Sequence, residues 1–165
     1  MAEAATQPAV LVIGIGNALR HDDCVGLEVA RRVRERAATS GIVVREHEGE
    51  AIGLLEIWDG ADAVVLVDAV HSGAAPGTIH RIDASSAPVP AQLAGAHSTH
   101  AIGIGEAIEL ARVLERLPRQ VIVYGIEGQR FEAGSGLSEA VAAAVAQLAD
   151  STLGEARALA EQGIS

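Results

Sequence analysis

The 165-residue chain contains no lysine, one cysteine (Cys24), and one each of tryptophan, tyrosine and phenylalanine (Trp58, Tyr124, Phe131). Each shortage closes off a class of function. All 12 basic residues are arginines, set against 22 Asp and Glu, for a formal net charge of −10. A surface this acidic repels phosphate backbones and anionic headgroups, so neither nucleic acid nor a membrane surface is expected as the main partner. Three aromatics are too few for a platform that stacks bases. A single cysteine excludes an internal disulfide and any Cys-only zinc site, and it fits a reducing compartment. No apolar run approaches the ~18 residues of a membrane helix, and the start MAEAATQPAVLVIGIG has no basic stretch before its apolar segment. A cytoplasmic protein is expected.

What is present is 49% apolar composition, filled by Ala, Val, Leu and Ile, with 18 glycines. The length suits one domain over 1–165, with its core at about 9–153. The apolar, β-branched runs at 9–15 and 63–68 read as strands buried on both faces of a parallel sheet, and 41–48 and 120–126 as further strands. Residues 78–83 look like an edge strand. Apolar residues at Val25, Val29, Val33 and Ala37 mark a helix over 24–38. A short helix is expected around 54–58, and another over 104–117, stopped by Pro118. A final helix, capped by Ser138, is expected to run to about Leu153 or Leu159, with only the last dozen residues or so dispensable. The Ala-, Ser- and Pro-rich stretch 83–103 reads as a long loop, expected to be mobile. Alternating strands and helices predict an α/β three-layer sandwich with a largely parallel sheet, whose ligands gather beyond the carboxyl ends of the strands. That rim takes in 16–23, 68–72 and 127 onward.

Four features there bear on chemistry. GIGNALRHDDCVG sits where a nucleotide fold places its phosphate loop, yet Asp22 and Asp23 occupy the anion position, which argues against a nucleotide. Helix capping accounts for one aspartate of the pair better than for both. Asp68 closes an otherwise apolar strand and is expected at the rim, either as a functional carboxylate or capping the next turn. His97 and His100 in HSTHAIG are a weak metal signal alone, but two carboxylates and an imidazole from separate elements make an open site that suits a divalent transition ion. Cys24 at a helix start invites a thiolate reading, with His21 or His100 as base, against the plain reading of a small residue in the first turn.

The motifs GIGNALRHDDCVG (14–26), VVLVDAVHSGAAPGTI (64–79), HSTHAIG (97–103), YGIEG (124–128) and GLSEAV (136–141) give the chain a resemblance to the hydrogenase maturation endopeptidases. That family trims the C-terminus of the large subunit of nickel–iron hydrogenases. The resemblance runs in family order over roughly 9–150. It implies a five-stranded twisted sheet between helices and a metal site made by Asp23, Asp68 and His100. It further implies a large-subunit precursor as partner, and nickel met through that substrate instead of held by the free enzyme. The chain departs from the family at Cys24, where glycine is usual, at Gly128, where proline is common, and at 47–55, which lack a Gly-Thr pair; His21 adds a possible ligand. Two carboxylates and one imidazole hold nickel less well than sites richer in nitrogen or sulfur, consistent with a metal supplied by the substrate. The rival readings are a cysteine-dependent amidase using Cys24 and a non-catalytic metal-delivery module.

Overall fold

The computed structural model describes residues 10–37, 41–93 and 103–163. Among them the elements follow the order β1 (Val10–Ile15), a 3-10 turn (His21–Cys24), α1 (Val25–Arg36), β2 (Ile42–His47), α2 (Ala51–Trp58), β3 (Ala63–Val70), β4 (Ile79–Asp83), a short 3-10 turn (Ala91–Leu93), α3 (Ile104–Val113), β5 (Gln120–Glu127) and α4 (Glu139–Gln162). The sheet runs β2-β1-β3-β5-β4. All neighbours are parallel except β4, which lies antiparallel on the outer side of β5 with Ile79 opposite Ile126. The chain is therefore an α/β sandwich of the expected kind, with one antiparallel edge.

Strand period two explains the layers. Val10 and Val12, Val65 and Val67, and Ile122 and Ile126 face the layer of α1 and α4. Leu11 and Ile13, Val64 and Leu66, and Val121 and Val123 face that of α2 and α3. Both faces are covered, so the central strands carry near-continuous apolar runs instead of alternating with polar residues. Trp58, fully buried, fills the second layer. On the other face, Arg81 of β4 forks onto Glu155 of α4 at 2.8 and 3.0 Å, and the Tyr124 hydroxyl donates to the same carboxylate at 2.9 Å. Burial and the nearby Glu155 push the Tyr124 hydroxyl up to about 12.

Glycines let α1 touch the sheet backbone. A Cβ on Gly26 would stand 2.2 Å from the Ile15 carbonyl oxygen and 2.4 Å from that of Val67, and one on Gly14 would stand 2.1 Å from the Gly26 oxygen. The first turn of α1 thus lies directly over β1 and β3. The 3-10 turn before it, with Asp22 and Asp23, is thereby brought to the carboxyl ends of those strands.

Three expectations about the helices change. The third helix ends at Val113, short of 117, because Leu114 caps it and Glu115 turns left-handed at φ +55°, with Glu115 N–H donating to Arg112 O and Arg116 N–H to Ala111 O. This pair of bonds is a Schellman ending, so the stop precedes Pro118. The last helix continues to Gln162 and buries Ala156 and Leu159, so its final turns belong to the core instead of being dispensable. Ser138 stands at its N-cap without a side-chain cap bond, the hydroxyl being given to Asp22 instead. In the expected long loop, Arg112 donates to the carbonyls of Ala84, Ser85 and Ala87, and Ala84 and Val89 are buried. Among the described residues no helix is long and apolar enough to cross a membrane.

Candidate active site

Strand order reverses direction between β1 and β3, since β2 lies beyond β1 on one side and β5 beyond β3 on the other. Such a switch point leaves a crevice at the carboxyl ends of the two strands. After β1 the chain turns tightly: a Cβ on Gly16 would stand 1.9 Å from the Asp23 carbonyl oxygen, so only glycine admits this approach. Asn17 N–H donates to both the carbonyl oxygen and Oδ2 of Asp23 at 3.2 Å. Asn17 Oδ1 accepts from Leu19 N–H at 2.9 Å, an Asx turn that shapes the loop from within.

Asp68 lies inside β3, which runs two residues further than the sequence suggested, and it pairs with Gly125 of β5. It is half-buried. Burial first, and the Asp23 carboxylate second, raise its carboxyl well above the ordinary range, while a hydrogen bond from the Ala69 backbone opposes them. The charge of Asp23 is thus felt at Asp68 across the switch point. His97 and His100 lie outside the described residues. Among the described residues, no three His, Cys, Asp or Glu side chains gather as a group that could hold a metal ion.

His21 takes a left-handed backbone (φ +43°), and its Nδ1 donates to the Gly136 carbonyl at 3.1 Å. Its ring lies against Gly134, where a Cβ would stand 2.1 Å from Nε2. Cys24 is half-buried, and burial first, then the Glu28 and Asp22 carboxylates, raise its thiol. Burial first and the acidic neighbours second thus oppose a thiolate at this helix start, which favours the plain reading of Cys24 over the thiolate one.

Two residues matter to the rim in roles that the sequence did not assign to them. Asp22 has no exposed surface and accepts from the N–H groups of Gln129 (2.7 Å), Arg130 (2.9 Å) and Ser138 (2.8 Å), and from the Ser138 hydroxyl. Burial would raise its carboxyl, but those bonds outweigh it and hold it below the ordinary range. Neither aspartate of the pair caps its own helix. Glu127, 1% exposed, accepts from Ser72 N–H (3.1 Å), the Ser72 hydroxyl and His80 Nε2 (3.1 Å), fixing the turn beyond Asp68. The one available signal for it was a glutamate ending an otherwise apolar strand in YGIEG. Beside the rim, a cleft of about 550 Å³ opens between the ends of β1 and β2, lined by Leu19, Leu27, Glu46, His47, Glu48 and Glu50 among others.

Comparison with known proteins bears on the family and the fold. The family model described as HycI, hydrogenase maturation protease, matches residues 48–155, about two-thirds of the chain. The chain belongs to the hydrogenase maturation protease family. It is 29% identical over 163 residues to the hydrogenase expression/formation protein HoxM of Azotobacter vinelandii, covering 96% of this chain and 76% of that protein. It is 26% identical to the hydrogenase 2 maturation protease of Escherichia coli, with 94% and 93% of the two chains covered. These matches span the first motif, 14–26, which lies ahead of the family-model match. Among solved structures, the hydrogenase maturating endopeptidase HybD from E. coli superimposes with a TM-score of 0.76 at 22% identity, over 90% of this chain and 91% of that one. That last similarity speaks for the fold. A maturation protease is an enzyme, so the expected fold class and the expected protease activity both stand.

Proposed function

We propose that this maturation protease removes the C-terminal extension of a nickel-loaded [NiFe]-hydrogenase large-subunit precursor in the cytoplasm, with Asp23, Asp68 and His100 as the residues that meet the metal carried by that substrate. The observation that carries the reading is that the Asp68 carboxyl, raised first by burial, feels the charge of Asp23 at the switch point of a chain in this family. Two carboxylates forced together are an unfavourable pair in isolation and a fitting donor set for a hard or borderline divalent cation, which cancels their repulsion. When present, such a cation would polarise the scissile carbonyl or acidify a bound water. The chain's own contribution is to position and to move protons. A carboxyl raised by burial is, once ionised, a stronger base than an ordinary aspartate, so Asp68 suits the withdrawal of a proton from the attacking water. Asp23, anchored by Asn17 N–H, suits the fixed role of orienting the substrate's metal centre.

The test is processing of nickel-loaded precursor by Asp23→Asn, Asp68→Asn and His100→Ala, followed by mobility shift on gels with melts in parallel. Each substitution is expected to abolish cleavage in protein that remains folded, and double substitutions to add little, because residues acting as one unit are non-additive. Parental processing by Asp68→Asn or His100→Ala in folded protein refutes the assignment. Cleavage of casein or of metal-free precursor at a comparable rate refutes the substrate.

A further inference from the structure

Asp22 and Asp23 are neighbours in sequence with opposite tasks. Asp22 turns inward, and three backbone N–H groups of one segment, 129–138, converge on its carboxylate together with the Ser138 hydroxyl. That segment joins β5 to α4 and is laced to the turn along its length. His21 N–H donates to Gly134 O (3.1 Å), Asp22 N–H to Arg130 O (2.9 Å) and Gly134 N–H to Leu19 O (2.9 Å), while Arg20 Nε reaches Phe131 O (3.0 Å). The same strap also touches the turn that follows the other carboxylate's strand, because Phe131 stacks on His71 at 5.5 Å between ring centres, three residues beyond Asp68. It is thus in contact with the chain beyond both β1 and β3.

A strap of this kind answers a physical need. The two carboxylates of the site pair stand on separate elements, and the turn that carries Asp23 is short and includes a left-handed residue. An ionised acceptor buried among several N–H donors makes bonds roughly twice as strong as neutral ones. Asp22 is the point where those bonds are concentrated. We propose that Asp22 is a positioning residue: by fastening the 129–138 strap to the 3-10 turn it holds the Asp23 carboxylate in register with Asp68. The inference rests on the reading of Asp23 and Asp68 given above as the site pair.

The experiment uses the full chain with Asp22→Asn, Ser138→Ala and Gly134→Ala, the last of which sets a side chain at a backbone of φ +150° and displaces the His21 ring, straining the strap without touching Asp22. Two readouts need no precursor: amide hydrogen exchange over 129–138, and the alkylation rate of Cys24, the sole cysteine, which directly follows Asp23. The third is kcat and KM on nickel-loaded precursor, measured well below the melting temperature. In Asp22→Asn, exchange at Gln129, Arg130 and Ser138 and alkylation of Cys24 are expected to rise about tenfold or more. The kcat is expected to fall about tenfold or more with KM within about twofold, and Ser138→Ala to fall between variant and parent. Gly134→Ala is expected to reproduce the pattern, and it decides the matter if Asp22→Asn does not fold. Parental kcat in any variant whose strap exchange has risen overturns the proposal, as do unchanged exchange and alkylation in both Asp22→Asn and Ser138→Ala. A parent that cuts no precursor refutes the functional reading instead, and the tether between Asp22 and the strap is then judged on exchange and alkylation alone.

Discussion

Replacing Gly26 by alanine tests whether backbone contact between α1 and the sheet sets the position of the acidic turn. The added Cβ would stand 2.2 Å from Ile15 O, 2.4 Å from Val67 O and 2.8 Å from Ile15 N. All three are main-chain atoms of central strands, which have no rotamer to change. Relief requires the helix to withdraw by about 1 Å, and a gap of that size forfeits a quarter to a half of each dispersion contact it opens. The contacts at stake are those of Val25, Val29, Ala30 and Val33, none of which is exposed. Overpacking of this kind costs about 3 kcal/mol at the upper end of its usual range, and alanine returns about 1 kcal/mol of helix propensity. The net loss is about 2 kcal/mol, which for a chain of this size lowers the melting temperature by about 4–8 °C. Gly154 in α4 supplies the control, since a Cβ there meets nothing within 4 Å. Gly154→Ala is expected to raise the melting temperature by about 2–4 °C through propensity alone. Thermal melts followed by circular dichroism make the comparison, with precursor processing as the second reading because withdrawal of α1 carries Asp23 away from Asp68. If Gly26→Ala melts with or above the parent, or if alanine is as harmful at 154 as at 26, the reasoning is wrong.

Two further outcomes are expected. Asp68 has a folded-state pKa above its unfolded value, so its contribution to stability is fully present below the unfolded value and lost as pH rises through the folded one. Asp68→Asn should therefore melt higher than the parent at neutral pH, with the gain shrinking as pH falls toward about 4, and a variant less stable than the parent at neutral pH contradicts the burial and repulsion described for this carboxyl. Glu115 holds the left-handed position of a Schellman ending, where glycine carries no steric penalty. Glu115→Gly should add about 0.5–1 kcal/mol, read from urea unfolding at constant slope, and a loss of stability counts against the assigned ending.

The strands were legible because burial on both faces leaves runs such as AVVLV without a polar residue, and few other local structures produce that pattern. Helix ends were less legible. The stop after Val113 comes from a glutamate in a conformation that its type does not announce, and the length of α4 comes from burial of Ala156 and Leu159 by a tertiary surface. The direction of β4 was not readable either, since pairing with β5 depends on a partner some 40 residues later in the chain. At the rim, Asp23 and Asp68 were found by their places at strand ends and by resemblance. Asp22 and Glu127 were missed in their actual roles, because a carboxylate that binds distant backbone N–H groups has the same local sequence as a cap or a solvated turn.

The position of β5 governs how the chain emerges from synthesis. β3 ends at Val70, yet the strand that covers its second edge begins only at Gln120, and β4, made in between, pairs with β5 and not with β3. Until β5 arrives, AVVLVDAV presents an apolar, unpaired edge, the kind of template on which chains add to one another. A nascent chain is exposed to that hazard for some 50 residues of elongation, and any product truncated before residue 120 keeps it permanently. Shortened forms of this protein should thus be limited by aggregation along β3 before the loss of any rim residue becomes measurable.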